Sequence, residues 1–335
     1  MIKRILVITT GGTIAMKQDK TAGGAVPTLI GDDLLSMLPH GLAEIELEEH
    51  CNLPSAHFTP DTIWSLKERV TAAAARSEID GIVVTHGTDV MEESAYLLDL
   101  TVPGDKPIVL TGAMRTVSDQ GYEGYANLAA AVRVAAADKT RGLGALVVMN
   151  DEIHAARFVT KTHTLNPATF KSLDFGPLGS IDGDRIVIAH QPSRQLIECE
   201  IWEPNVTLIK LAAGMDDGLL RYSLEQGVKG IVLEGLGGGR IPPWWLPGIR
   251  KAVENSVPVV IASRCPAGRV WDGYGYAGAY KDLRGIGTLF ADNLNGQKAR
   301  IRLMCVLGAA ATLEEVAEIW ECGSKEAVPT AIPAA

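Results

Sequence analysis

Short apolar runs alternate with longer amphipathic segments along most of the chain. Runs rich in Ile, Val and Leu occupy residues 4–9, 81–85, 107–111 and 144–149. Their length and β-branched content are typical of strands that are buried on both faces of a sheet. The alternation therefore predicts βαβ units, in which helices cover both faces of a mostly parallel sheet.

The segments between these strands carry recognisable helix starts. Thr59 supplies a capping hydroxyl and Pro60 suits the first helical turn, so we predict a helix from there through Arg76. Two further helices are predicted, one at residues 91–98 and one in the alanine-rich residues 127–137.

A second series of strands and helices follows a break in this pattern. Residues 176–206 are rich in Gly, Pro and charged side chains, which is typical of a short hairpin and a linker. Strands are then predicted at 206–212, 229–234 and 257–262, and helices at 216–227 and 245–254. We therefore predict a larger α/β domain, a linker and a smaller α/β domain, at 1–189, 190–206 and 207–335.

Composition limits the classes of partner. The chain has 335 residues, of which 47% are hydrophobic, and this is enough for two cores. The formal net charge is −9 and the Lys and Arg residues are scattered, which argues against a nucleic-acid partner. No apolar stretch reaches the roughly 18 residues that span a bilayer, so no membrane partner is expected.

Cysteine, histidine and glycine patterns favour a protein without a cofactor. The five cysteines are widely spaced and form no CxxC pair, so we expect thiols in a reducing, cytoplasmic location. The histidines show no HxxxH or HExxH spacing, and no metal is expected. GLGGGR (235–240) ends in Arg where a dinucleotide fingerprint has Gly, and TGGTIAMK lacks the spacing of a phosphate-binding loop.

Two threonines stand in glycine-containing turns, each directly after an apolar run. Thr13 lies in TGGTIAM (10–16) and Thr88 in THGTDVMEE (85–93). In open α/β sheets ligands bind outside the carboxyl ends of the strands, so both hydroxyls can face one substrate. The simpler alternatives are a tight turn around Thr13 and an N-cap at Thr88 or Asp89 for the helix beginning near Met91.

A lysine completes the candidate chemistry. Threonine is a poor nucleophile at neutral pH and needs a base, which is itself oriented by a third group. Lys161 in VTKTHT (159–164) can act as a proton acceptor and an electrostatic anchor. Thr88, Asp89 and Lys161 can therefore form a proton-transfer set.

Together these motifs resemble those of bacterial-type L-asparaginases, of the asparaginase/glutaminase family. The similarity also includes PIVLTGAMR (107–115), LVVMNDEI (146–153), ATFKS (168–172), SRCPAG (263–268) and NGQKAR (295–300). The resemblance implies hydrolysis of L-asparagine by a two-domain fold. Its larger N-terminal domain is a mostly parallel α/β domain and its smaller C-terminal domain is flavodoxin-like. It also implies a homo-oligomer, either a tetramer built as a dimer of dimers or a dimer.

The resemblance implies roles for individual residues. Thr13 would attack the side-chain amide, while Thr88, Asp89 and Lys161 would transfer protons, although either threonine is a candidate for the first attack. Asp89 would also bind the substrate α-amino group. The other implied substrate-binding positions are Ser55, for the α-carboxylate, Gly12, Gly87, Ala56, and Ala113, whose backbone N–H with those near Thr88 would bind the oxyanion.

Several positions depart from the family pattern. Ala25 or a neighbour stands where a loop tyrosine is expected, Ala56 where a glutamine often follows Ser55, and Gly238 where an asparagine is expected. We therefore expect little glutaminase activity. The enlarged pocket also suits a different amide, namely an N-substituted asparagine, a small amide or a lactam.

The C-terminal domain lacks an acidic residue that the resemblance implies. VWDGYGYAGAY (270–280) contains no Glu, and Asp272, Tyr274 and Tyr276 are the candidates to replace it. A buried ammonium without a counter-ion is costly, so affinity for a free amino acid should fall if none does. A catalytically weak amino-acid sensor of the same fold is therefore a further alternative.

Overall fold

The computed structural model describes residues 2–29, 31–36, 38–39, 41–271 and 273–322. Asp272, one candidate for the missing glutamate, lies outside them. The chain divides into two compact units, Met1–Leu196 and Ile197–Ala335. The proposed domain limits and the linker at 190–206 stay predictions.

The first unit is built around a large mixed sheet. Among the described residues this sheet has eight strands, in the order β12-β11-β8-β7-β6-β5-β1-β4. The strands of the unit are β1 (Arg4–Gly11), β2 (Met16–Asp19), β3 (Gly24–Pro27), β4 (Glu44–Leu53), β5 (Gly81–Thr85), β6 (Ile108–Thr111), β7 (Ala145–Met149), β8 (Glu152–Ala155), β9 (Thr160–Lys161), β10 (Phe170–Lys171), β11 (Gly179–Asp182) and β12 (Arg185–Ile188).

The pairing of neighbouring strands changes once across the sheet, from parallel to antiparallel at β7. The neighbours from β4 through β1, β5 and β6 to β7 are parallel, whereas β7, β8, β11 and β12 pair antiparallel. Two antiparallel ribbons lie outside the sheet, β2 with β3 and β9 with β10. Strand β1 lies between β4 and β5, so the chain order reverses there, and this is where α/β sheets form their ligand crevices.

Helices cover both faces of the parallel part. The helices of the first unit are α1 (Gly31–Leu35), α2 (Pro60–Ala75), α3 (Met91–Thr101) and α4 (Gly124–Ala136). Ile5 and Val7 of β1 belong to the core that contains Leu128 of α4. The alternate residues Leu6 and Ile8 belong to a second core, with side chains from α2 and α3. This explains why β1 is apolar without interruption.

The second unit is a smaller α/β structure. Its strands β13 (Val206–Lys210), β14 (Gly230–Gly235), β15 (Val259–Ser263) and β16 (Leu289–Phe290) pair in that order, all parallel. Its helices are α5 (Gly218–Glu225), α6 (Leu246–Glu254), α7 (Tyr280–Ile286), α8 (Gly296–Ala309) and α9 (Leu313–Cys322). Its core includes the fully buried Trp245. The predicted α/β class is confirmed.

The predicted strands and helices are largely confirmed, with two informative differences. Strand β4 was not predicted, because it lies at the sheet edge and alternates Glu with apolar residues instead of forming an apolar run. The segment 176–206 does contain the predicted hairpin, β11–β12, but the hairpin extends the large sheet through β8. Thr59 caps α2 as predicted, since its side chain accepts a hydrogen bond from the Thr62 N–H.

Candidate active site at the carboxyl ends of the parallel strands

The predicted site residues follow four neighbouring parallel strands. Thr13 follows β1, Ser55 follows β4, Thr88 follows β5, and Ala113 follows β6. Since parallel strands end at the same edge of a sheet, the fold gathers these four turns at one edge. Lys161 arrives separately, on the short β9–β10 ribbon.

The turn that carries Thr13 depends on glycine. Gly12 has a φ of 81°, a backbone conformation that favours glycine, and its N–H donates to the Leu53 carbonyl over 3.1 Å. Thr13–Ala15 then forms a single 3₁₀ turn, which the Ala15 N–H closes by donating to the Gly12 carbonyl. Thr13 is half-buried, so its side chain keeps access to the crevice.

The turns after β1, β5 and β4 pack so closely that side chains are excluded between them. A Cβ on Gly12 would lie 2.5 Å from the backbone of Gly87, and a Cβ on Gly87 would lie 2.6 Å from the Ser55 Oγ. Because Thr13 and Thr88 directly follow these two glycines, they stand on turns in van der Waals contact. The structure thus brings Gly12, Thr13, Gly87, Thr88 and Ser55 together.

A cation lies beside the second threonine. Lys161 Nζ donates to Thr88 Oγ1 over 2.9 Å and to Asp89 Oδ1 over 2.7 Å. Thr88 is only 6% exposed, whereas the side chains of Lys161 and Asp89 are 16% and 60% exposed. The ammonium therefore lies at the boundary between the buried hydroxyl and the solvent, in a position from which a cation can stabilise negative charge on Thr88 Oγ1.

The Ser55 hydroxyl contacts the same group of residues. Ser55 is buried in a 3₁₀ turn, and its Oγ accepts a hydrogen bond of 3.1 Å from the Asp89 N–H. Its own hydroxyl hydrogen can still be donated to an acceptor such as a carboxylate. Ala56, the next residue, is exposed.

Ala113 is fully buried on the turn after β6, and this turn is held by a residue that no sequence motif indicated. Asn127 of α4 donates through Nδ2 to the Gly112 carbonyl and accepts through Oδ1 from the Asn150 N–H, each over 3.0 Å. The Asn127 side chain therefore links the turns after β6 and β7. In sequence it was only part of a predicted helix.

His86 is a second supporting residue to which the sequence assigned no role. Its Nδ1 lies 2.7 Å from the Gly87 carbonyl, so this nitrogen must carry the proton, and Nε2 then accepts from the Ser94 hydroxyl over 2.9 Å. Burial lowers the pKa of His86 from 6.5 to about 4, against an opposing effect of the bond to Gly87. A neutral imidazole thus holds the Gly87–Thr88 turn at physiological pH.

The helix-cap interpretation of Thr88 and Asp89 is wrong. The N-cap of α3 is Val90, and no side chain caps the helix there. Thr88 Oγ1 and the Asp89 carboxylate are instead hydrogen-bonded to Lys161.

The segment after Thr13 forms the β2–β3 ribbon. Ala25, which stands near the place of the expected tyrosine, pairs with Gln18 on this ribbon and is half-buried. Its side chain is a methyl group and supplies no hydroxyl.

Metal-binding clusters and membrane-spanning helices are both absent from the described residues. These residues contain no group of three or more His, Cys, Asp or Glu that is arranged to hold a metal ion. No described helix is both long enough and apolar enough to cross a bilayer.

Two family models match the chain in succession. Residues 4–194 match the N-terminal asparaginase model, and residues 205–320 match the glutaminase/asparaginase C-terminal domain. The chain belongs to the asparaginase family. The resemblance indicated by the motifs is thereby confirmed.

Relatives of this asparaginase-family chain are similar along most of its length. The L-asparaginase of Bacillus licheniformis is 35% identical, over 92% of this chain and 97% of that protein. A probable periplasmic L-asparaginase of Haemophilus influenzae is 36% identical, over 91% of this chain and 89% of that protein. The L-asparaginase 2 of Escherichia coli is 33% identical, over 95% of this chain and 93% of that protein.

The close packing of the turns predicts a specific effect of Gly87→Ala. The new methyl group would meet Ser55 at both Oγ and Cβ, which lie 2.6 and 2.7 Å from its position. We expect the free energy of unfolding in urea to fall by about 1–3 kcal/mol, as for other overpacked sites. The matched control is Gly285→Ala in α7, where the added methyl meets nothing within 4 Å. This control should gain about 0.5–1 kcal/mol from helix propensity. Equal stability of the two variants would contradict the packing argument.

Burial of His86 predicts a loss of stability in acid. The unfolded chain binds a proton at this residue near pH 6.5, whereas folded His86 does so only near pH 4. Its contribution is therefore complete above pH 6.5 and is lost as pH falls towards 4, by on the order of 3 kcal/mol. Urea unfolding of wild type and of His86→Gln at pH values from 7.5 to 4 gives the free energy of unfolding as a function of pH for each protein. The difference in slope between the two curves measures the contribution of His86. Parallel slopes for both proteins would rule out a buried neutral His86.

Proposed function

We propose that the protein is an amidohydrolase that converts L-asparagine and water to L-aspartate and ammonia through a threonine nucleophile. One observation carries the proposal: Lys161 Nζ is hydrogen-bonded to both Thr88 and Asp89. The turn that holds Thr88 and Asp89 is in contact with the turn that holds Thr13. A base oriented by a third group is what a threonine hydroxyl needs to react. The family membership and the L-asparaginase names of the relatives support this substrate.

In the first half-reaction Thr13 Oγ attacks the carbon of the substrate side-chain amide. The hydroxyl proton is given up as the C–O bond forms and ends on the amide nitrogen, and the tetrahedral intermediate carries its negative charge on the former carbonyl oxygen. Backbone N–H groups near Thr88 and Ala113 stabilise that charge. The C–N bond then breaks, the nitrogen takes up a proton, and ammonia leaves an ester on Thr13.

In the second half-reaction water hydrolyses the ester. Lys161 Nζ, after giving one proton to the solvent, accepts a proton from the attacking water by way of Thr88 Oγ1, while Asp89 holds the Lys161 side chain in place. The same proton passes to Thr13 Oγ as the ester bond breaks and L-aspartate leaves. The charge that Lys161 gains with this proton lowers the energy of negative charge on Thr88 Oγ1, because Lys161 Nζ lies 2.9 Å from that oxygen.

Charge and hydrogen bonding account for the recognition of the amino-acid head group. The Asp89 carboxylate, 60% exposed, attracts the substrate α-ammonium group, and the Ser55 hydroxyl donates to its α-carboxylate. Gly12 and Gly87 let the backbone approach the substrate closely. The exposed methyl group of Ala56 supplies no polar contact, and we therefore infer low glutaminase activity.

A second candidate substrate keeps the same chemistry. The methyl groups of Ala25 and Ala56 leave room for a larger substituent than the amide of free asparagine. An N-substituted asparagine, a small amide or a lactam would then be the preferred substrate.

Ammonia release from L-asparagine tests the catalytic set. Thr13→Ala, Thr88→Ala and Lys161→Met should each lower kcat by at least about 10²-fold, since each removes a nucleophile or a proton-transfer group. Thr71→Ala on α2 and Lys171→Met on β10 are matched controls. Both remove the same side-chain types outside the catalytic set, and both should keep activity within about twofold of wild type. Full activity of Thr13→Ala or of Thr88→Ala would reject the mechanism.

A panel of amides distinguishes the candidates. L-Asparagine should have a higher kcat/KM than D-asparagine, L-glutamine, N-substituted asparagines, small amides and lactams. If one of the last three classes has the highest value, that class replaces L-asparagine as the substrate. Calorimetry that shows tight binding of L-asparagine without turnover would instead identify an amino-acid sensor.

We also propose a homo-oligomer and a cytoplasmic location. The exposed aromatic side chains of Trp271, Tyr274 and Tyr276 in the second unit suit an interface, and light scattering after size exclusion should give the mass of a dimer or a tetramer. No disulfide joins any of the five cysteines within the described residues, which suits a reducing compartment. Fractionation of the source cells should find the protein in the cytoplasm.

A further inference from the structure

One loop of the first unit contacts the segment after Thr13 at three alternate residues. The 114–123 loop connects the turn after β6 to helix α4. The Tyr122 hydroxyl lies 2.7 Å from the Ile14 carbonyl oxygen. The Val117 N–H donates to the Met16 carbonyl, and the Gln18 N–H donates to Ser118 Oγ. Of these contacts, only the one from Tyr122 reaches the turn Thr13–Ala15 itself.

The 114–123 loop is braced by its own side chains. Asp119 Oδ2 accepts hydrogen bonds from the N–H and the hydroxyl of Thr116, over 2.7 and 2.8 Å. Arg115 donates to the Gly121 carbonyl, and the Met114 N–H donates to the Glu123 carboxylate. These bonds join both ends of the loop, so Tyr122 is held on a fixed support.

Packing determines where the Tyr122 ring lies. The ring packs edge-on against Tyr125, with 4.7 Å between the centroids, and passes over Gly124 at the start of α4. A Cβ on Gly124 would lie 2.2 Å from the Tyr122 hydroxyl oxygen. The absence of that atom therefore allows the hydroxyl to reach Ile14.

The Tyr122 hydroxyl is a hydrogen-bond donor in this contact, because a carbonyl oxygen can only accept. Burial raises the pKa of the Tyr122 phenol far above its ordinary value, with smaller effects of Tyr125 and Glu123 in the same direction. The phenol therefore stays protonated at physiological pH. It can hold the backbone but cannot serve as a base.

We propose that Tyr122 is a positioning residue for Thr13, an inference that rests on the proposed role of Thr13 as the nucleophile. The Gly12 carbonyl and the Ala15 N–H close the 3₁₀ turn at one side, and Tyr122 fixes the Ile14 carbonyl at the other. Because Ile14 is bonded directly to Thr13 in this turn, a fixed Ile14 carbonyl limits rotation of the backbone that orients the Thr13 Cα–Cβ bond. Small errors in the direction of an attacking oxygen reduce rates strongly.

Tyr122→Phe removes the hydrogen bond and keeps the ring. We expect kcat for L-asparagine to fall by roughly tenfold, while KM and the Kd of L-aspartate stay within about twofold of wild type. The pH profile of kcat/KM should keep its shape, since Tyr122 does not titrate in the working range. The matched control is Tyr125→Phe, which removes the hydroxyl of the neighbouring ring and should keep the wild-type kcat.

Gly124→Ala tests the same contact without changing Tyr122. The new methyl group must displace the Tyr122 hydroxyl, whereas alanine favours the helix in which it lies. We expect the same fall in kcat, because the displaced hydroxyl no longer donates to the Ile14 carbonyl. This variant decides the question if Tyr122→Phe proves to be unstable.

The outcomes separate this inference from the proposed function. A wild-type kcat in Tyr122→Phe and in Gly124→Ala, with Thr13→Ala inactive, would overturn the role of Tyr122 alone. A raised Kd for L-aspartate in step with the fall in kcat would overturn it as well, because the effect would then be one on binding. Full activity of Thr13→Ala would reject the nucleophile itself.

Discussion

The site depends on the contact between two stretches of backbone, at Gly12 and Gly87. A Cβ on Gly12 would lie 2.5 Å from Gly87, and one on Gly87 would lie 2.6 Å from Ser55 Oγ, so three turns meet where no side chain fits. This contact brings the residues that follow β1, β4 and β5 close enough to act on one small molecule. It exists because β1 lies between β4 and β5 in the sheet, and because each turn begins where its strand ends.

Around this contact, charged and uncharged side chains have different functions. Lys161 lies on the β9–β10 ribbon, whose two strands have two residues each, outside the main sheet. Its side chain places a cation beside the buried hydroxyl of Thr88. Uncharged side chains hold the backbone of the neighbouring turns. His86 holds the Gly87 carbonyl, and Asn127 holds the turns after β6 and β7. These neutral supports fix the backbone without adding a charge that would compete with Lys161 and Asp89.

The sequence predicted those parts that repeat a local pattern. Strand β5 is a continuous apolar run because both of its faces are covered, and the glycine turns directly after β1 and β5 marked both threonines. Strand β4 was not predicted, because in this edge strand Glu residues alternate with apolar residues and no continuous apolar run is formed. The Tyr122 contact could not be predicted, because its two ends are 108 residues apart and no local periodicity connects them. The cap interpretation of Thr88 failed for the same reason, since its partner Lys161 is 73 residues away.

The glycine contact also bears on how the active site loses its structure. Catalytic loops are commonly the first parts of a protein to open, since few buried contacts hold them. Here the turn of Thr13 packs against Gly87, and the Gly12 N–H donates a hydrogen bond to the Leu53 carbonyl. Opening this turn therefore requires β1 to separate from its neighbours in the sheet. Amide hydrogen exchange at Gly12 should therefore be as slow as exchange in the core strands. Activity and tertiary structure would disappear together in denaturant, in one cooperative transition.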